Sequence, residues 1–120
     1  MGKIGCIVID CADAKRAAEF WSQALDGYRV DAQEWGVTMN SETDPLIYFE
    51  VVPEEKSVKN RLHLNIQASD REAEVARLVG LGATEVEEIR PGGDYVWTNM
   101  LDVEGNEFCV STGAELDAVV

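Results

Sequence analysis

The stretch "RLHLNIQASDREAEVARLVGLGA", Arg61–Ala83, changes its hydrophobic period halfway along. Leu62, Leu64 and Ile66 alternate with Arg61, His63, Asn65 and Gln67, the two-residue period of a strand with one apolar face. Beyond Ala68, Val75, Leu78 and Val79 recur at three- and four-residue steps, the stripe of an amphipathic helix. Ser69 with Glu72 three residues on predicts a capping box at its start, and Gly82 predicts its end. A strand therefore runs directly into a helix. His63, the single histidine of the chain, falls on the polar side of that strand.

The same change of period occurs earlier. "KIGCIVIDCAD", Lys3–Asp13, reads as a strand ending in a helix cap at Asp13. "AKRAAEFWSQALDG" then places Ala14, Ala17, Ala18, Trp21, Ala24 and Leu25 on one helix face before Gly27. Short strands follow at "YRVDAQ", at "WGVTMN" and, after the turn "SETDP", at "LIYFEVV". In the second half "TEVEEI", "YVWTNM" and "NEFCVS" are the strands, "RPGGDY" is a loop able to act as a lid, and "DVEGN" is a tight turn. The chain thus reads as two copies of one unit, strand–helix–three strands, over about residues 3–52 and 61–112. A polar linker, 53–60, joins them and a tail, 113–120, follows. Laid over each other, Cys6–Asp13 falls on His63–Asp70 at a spacing of 57, and "YFEVV" falls on "EFCVS" at a spacing of 59, matching Phe49 with Phe108.

With 120 residues, 46% of them apolar, the chain is the size of a single domain with a real core. Ten basic against 23 acidic residues give a net charge of -13, which repels nucleic-acid phosphates and anionic membranes alike. Neither partner is expected. No opening segment resembles a signal peptide and no apolar run approaches the roughly 20 residues of a membrane span, so a cytoplasmic protein is expected. The three cysteines, Cys6, Cys11 and Cys109, form no pairing pattern and read as reduced thiols.

Alternation also sorts side chains by face. Ile7, Ile9 and Cys11 pack under a helix, leaving Cys6, Val8 and Asp10 opposite; Ile47, Phe49 and Val51 leave Tyr48, Glu50 and Val52 opposite. Phe108 and Val110 likewise turn Glu107, Cys109 and Ser111 away. The helix-free faces therefore collect Cys6, Asp10, Tyr48, Glu50, His63, Asn65, Gln67, Glu107 and Cys109, too polar a set for a core. Under the overlay Cys6 matches His63 and Glu50 matches Cys109, four zinc-ligand types at repeat-related positions. The plainer reading makes His63 a face residue bonded to Glu50 or Asn65, and the two thiols small fillers. Trp35, Tyr48 and Trp97 read either as aromatic walls of a ligand site or as packing. Trp21 and Cys11 are core.

Taken in order, "VIDCADAKRAAEFW", "KNRLHLNI", "LVGLGATEV" and "DVEGNEFCV" resemble the vicinal oxygen chelate superfamily of glyoxalase I, bleomycin resistance proteins and extradiol dioxygenases, and among them its small glyoxalase-like proteins. The resemblance runs from Ile4 to Ser111. It implies an α+β fold in which two βαβββ modules form a cup-shaped mixed sheet with helices outside, and a homodimer whose modules pair within or between chains. It also implies metal ligands at Cys6, Glu50, His63 and Cys109, of which only Glu50 and His63 are of the usual type. One histidine cannot supply the two-histidine, one-carboxylate triad of an extradiol site, and two thiolates would weaken a glyoxalase-type Lewis acid. The favoured expectation is a protein that binds a small organic ligand in the cup through Asp10, Trp35, Tyr48, His63, Asn65, Gln67 and Trp97, with no metal or a degenerate metal site. The alternative is a lyase or isomerase that holds a divalent metal such as zinc and acts on vicinal oxygens, with Glu50 or Glu107 moving a proton.

Overall fold

Both units fold in the expected order in the computed structural model, which describes residues 1–92 and 95–112, Tyr95 by its backbone alone. The first contains β1 (Cys6–Cys11), α1 (Ala14–Ala24), β2 (Arg29–Gln33), β3 (Gly36–Asn40) and β4 (Leu46–Val51). The second contains β5 (Leu64–Gln67), α2 (Arg71–Gly80), β6 (Thr84–Gly92), β7 (Tyr95–Leu101) and β8 (Glu107–Ser111). Their sheets are ordered β1-β4-β3-β2 and β5-β8-β7-β6. In each the first pair is parallel and the others antiparallel, so each βαβββ unit carries its own mixed four-stranded sheet. The chain divides into two compact units after Ser57, within the expected linker.

In the first unit Asp13 caps α1, its carboxylate accepting from the Arg16 amide at 3.1 Å. Ala14, Ala17, Ala18, Trp21 and Ala24 are buried as predicted, and the small alanines let the helix lie close on β3 and β4. There it covers a core of Val37, Met39, Ile47 and Phe49. Burying Trp21 contributes on the order of 3 kcal/mol. Phe20, off the predicted stripe, is buried too and meets Trp21 edge-on, with centroids 5.2 Å apart. Val51, expected on the packing side, is exposed at the end of β4.

In the second unit the cap is Asp70, not Ser69. Its carboxylate accepts from the Ala73 amide at 3.1 Å, which makes Glu72 the second helical residue and leaves no capping box to form. Val75 and Leu78 are buried, whereas Val79 is exposed. The apolar stripe is narrower than predicted, and at the start of the helix Arg71 is packed inward, its side chain only 10% exposed. Its guanidinium donates to Thr98 Oγ1 and to Glu88 Oε1, both at 2.7 Å. A buried cation is tolerated only with such partners.

Three further expectations are corrected. β5 begins at Leu64 rather than Arg61, because its parallel partner β8 starts at Glu107 and the ladder opens with Leu64 opposite Phe108. Leu62 is consequently 90% exposed. Trp35 lies in the two-residue turn that Gln33 and Gly36 close, not within β3. Of the predicted lid "RPGGDY", Arg90–Gly92 remain in β6 and Tyr95 opens β7; Gly93 and Asp94 lie outside the described residues, as does the tail 113–120. The turn "DVEGN" forms as read: Gly105 has φ 82°, and Asp102 accepts from the amides of Glu104 and Asn106 at 2.8 and 2.9 Å. Among the described residues no helix is long and apolar enough to cross a membrane.

Candidate functional site

On the face of the first sheet away from α1, the register sets side chains in rows. Cys6 lies beside Leu46, Val8 beside Tyr48, and Asp10 beside Glu50; Thr38 continues the Tyr48 row to Asp31 on β2. Asp10 and Glu50 are exposed neighbours at the ends of their strands. The Tyr48 ring lies over Gly36, where even a Cβ would stand 2.6 Å from Tyr48 Cε1. From there it meets the Trp35 indole edge-on, with centroids 5.2 Å apart and planes at 77°, and its hydroxyl donates to the Trp35 carbonyl at 3.3 Å. Trp35 is nevertheless 60% exposed. Desolvation, and after it the negative charge of Glu50, hold the Tyr48 hydroxyl above its ordinary value. Cys11 is core, as expected, its thiol directed at the Glu50 carbonyl at 3.6 Å.

The matching face of the second sheet is built differently. Asn65 pairs with Cys109, and Gln67 with Ser111. The Asn65 amide donates to Cys109 Sγ and Ser111 Oγ, both at 3.1 Å, and the Ser111 hydroxyl lies 3.2 Å from Asn65 Oδ1. Cys109 and Ser111 have the predicted facing but are 6% and 4% exposed, so they are buried groups rather than open ones. Trp97, opposite Ile89 on β7, is half-buried. The carboxylate of Glu107 accepts from the Asn60 backbone amide at 2.9 Å, while the Asn60 side chain donates to Asn106 Oδ1 at 3.3 Å. Glu107, one of the two residues expected to move a proton, thus anchors the end of the linker, and Asn60 before the histidine strand gains a structural role.

The four proposed metal positions do not converge within either unit. Glu50 stands four residues beyond Leu46, the partner of Cys6, which separates Cys6 from Glu50 by roughly 13 Å along the sheet. His63 is exposed just before β5, two residues from Asn65, the partner of Cys109, an offset of roughly 7 Å. The register also corrects the overlay. With the caps Asp13 and Asp70 in correspondence, Ile9 pairs with Phe49 and Ile66 with Val110, so the last strands match at a spacing of 61 rather than 59. Glu50 then corresponds to Ser111, and Tyr48 to Cys109. Among the described residues no three His, Cys, Asp or Glu side chains are grouped as a metal ion requires. Neither unit's residues fit a shared ion. Unforeseen in the sequence were Asp31, which the alternation in "YRVDAQ" could have put on the helix-free face though not in the Tyr48 row, and Arg71, which sits among charges typical of a solvated helix start.

Residues 6–111 match the sequence model of the glyoxalase-like domain family. No curated protein matches the chain. Among solved structures, the fold is similar to a glyoxalase/bleomycin resistance protein/dioxygenase family enzyme from Burkholderia phytofirmans PsJN, with 17% identity, a TM-score of 0.72, and 91% of this chain and 97% of that one covered. It is similar to a variant of the fosfomycin resistance protein FosX from Listeria monocytogenes, solved with Mn(II) and a dihydroxypropylphosphonic acid, with 13% identity, a TM-score of 0.75, and 100% and 99% covered. Trypanothione-dependent glyoxalase I of Leishmania major gives 14% identity and a TM-score of 0.71 over 99% and 92%. At such identities these likenesses speak to the fold alone. The match over residues 6–111, on two βαβββ units, establishes that the chain belongs to the glyoxalase-like domain family.

Proposed function

We propose that the protein binds a small organic molecule on the helix-free face of its first unit, and that this binding does not depend on a metal ion. The observation that carries the reading is the Trp35–Tyr48 pair. An indole 60% exposed at a hairpin tip is held in place by an edge-on ring contact and by the bond from the Tyr48 hydroxyl to the Trp35 carbonyl. A rigid exposed aromatic surface loses little entropy when a ligand covers it, and it presents apolar area that water solvates poorly. Asp10 and Glu50 beside it can orient a polar group of the ligand. Likeness to FosX solved with Mn(II) favours the metalloenzyme alternative, but the separation of Cys6 from Glu50 weighs against it.

Nitrogen–proton correlation spectra of the labelled protein against a library of small organic fragments test this. Binders should move the indole N–H of Trp35 together with the amides of Tyr48 and Glu50, and Trp35→Leu should abolish the effect. A library in which no member moves those signals overturns the proposal. Stoichiometric zinc retained after dialysis, and lost in His63→Ala, would restore the metal reading instead.

A further inference from the structure

The four edge strands differ in how they would receive another strand. β6 is a guarded edge: its register shifts between Glu85 and Glu87 and between Ile89 and Gly92, it contains Pro91, and Glu85, Glu87 and Glu88 make it acidic. Bulges, proline and like charges are the devices that keep edges from pairing. β5 offers four residues only. β1 carries one charge, Asp10, and nothing basic to meet it. β2 is different. Its five residues, Arg29–Gln33, are all exposed, its ladder with β3 runs without a shift, and it carries one charge of each sign, Arg29 and Asp31, on either side of Val30.

The hairpin fixes which backbone groups of β2 are open. Gln33 and Gly36 close a two-residue turn, a pair that exchanges both its hydrogen bonds. Asp31 and Arg29, at two-residue steps from Gln33, therefore also turn their N–H and C=O groups to β3, while Val30 and Ala32 turn theirs to the open edge. A second β2 laid antiparallel about a two-fold axis at Val30 satisfies them. It also sets Arg29 opposite the second copy's Asp31, and Asp31 opposite that copy's Arg29. These are non-hydrogen-bonded pairs, whose side chains stand closest, with Cα atoms about 4.5 Å apart. The same axis brings together the two Val30 side chains, each 43% exposed. An axis at Ala32 would instead set Asp31 opposite Gln33 and leave Arg29 without a carboxylate.

We infer that two copies of the chain associate through β2, antiparallel about Val30, with reciprocal Arg29–Asp31 pairs joining their four-stranded sheets into one of eight strands.

Sedimentation of the full chain and of its charge variants tests this. Arg29→Asp or Asp31→Arg alone sets like charges opposite each other and should raise the dimer dissociation constant about tenfold or more. The double variant, with the two charges exchanged, should dimerise as the native chain does. An equimolar mixture of the two single variants should form mixed dimers at concentrations where each alone is monomeric. Damage to the fold of one chain would not be repaired by a substitution in another. In the native protein, hydrogen exchange of the Val30 and Ala32 amides should slow about tenfold as concentration rises through dimerisation. That measurement decides the matter even where a variant fails to fold. The inference is overturned if the native chain stays monomeric across the micromolar range, if the single variants dimerise as it does, or if their mixture stays monomeric. It is overturned equally by a dimer in which those two amides exchange as fast as in the monomer, since such a dimer uses another surface.

Discussion

Gly36 is the residue on which the aromatic pair depends. A Cβ there would lie 2.6 Å from Tyr48 Cε1 and 2.9 Å from the Phe49 carbonyl oxygen, and the carbonyl belongs to backbone in the middle of the sheet. Gly36→Ala should therefore destabilise the protein by about 1–3 kcal/mol and swing the Tyr48 ring off Trp35, read as a lower urea midpoint and altered indole fluorescence. An unchanged midpoint would mean the contact is not as close as described. Glu88 offers a second test. The bond from Arg90, followed by that from Arg71, holds its carboxyl below the ordinary 4.5. A group whose folded value is lowered adds stability above its unfolded value and loses it as pH falls through the folded one. Stability should fall on acidification from about pH 6 to pH 3, and less steeply in Glu88→Gln. Equal acid slopes in both proteins would remove Glu88 from the account. Neither residue's role was legible in the sequence, where Gly36 looked like a strand residue and Glu88 one acid among many.

At the scale of elements, the two helix starts show how far local signals reach. Asp13 was legible as a cap because an apolar-periodic run follows it directly. In the second unit Ser69 and Asp70 are both good caps, and the choice went to Asp70 because its carboxylate reaches the Ala73 amide. Asp70→Ala should cost about 1 kcal/mol, while Ser69→Ala should cost a few tenths at most, compared by chemical denaturation. The reverse order would restore the capping box.

For the whole molecule, the repeat of strand, helix and three strands was legible, and with it the family. Each four-stranded sheet has two edge strands, β1 and β2 in the first and β5 and β6 in the second. The usual need to cover edges supports the proposal that two chains associate. Light scattering should return the mass of a homodimer, and a monomer mass throughout the micromolar range would end that proposal.

The sequence by itself determined the order of the elements, the faces of β1, β4 and β8, the cap at Asp13 and the turn at Gly105, because each follows from local periodicity or backbone preference. Only the tertiary structure decided how far each strand slides along its neighbour. A two-residue slide leaves every side chain on the same face, so alternation cannot detect it, and only the hydrogen-bonded ladder with a distant strand selects one register. That choice set Asp10, rather than Cys6, beside Glu50 and put Asn65 on Cys109. It set Cys6 apart from Glu50 within the first unit and His63 apart from Cys109 within the second, and the close approach at Gly36 brought Trp35 and Tyr48 together.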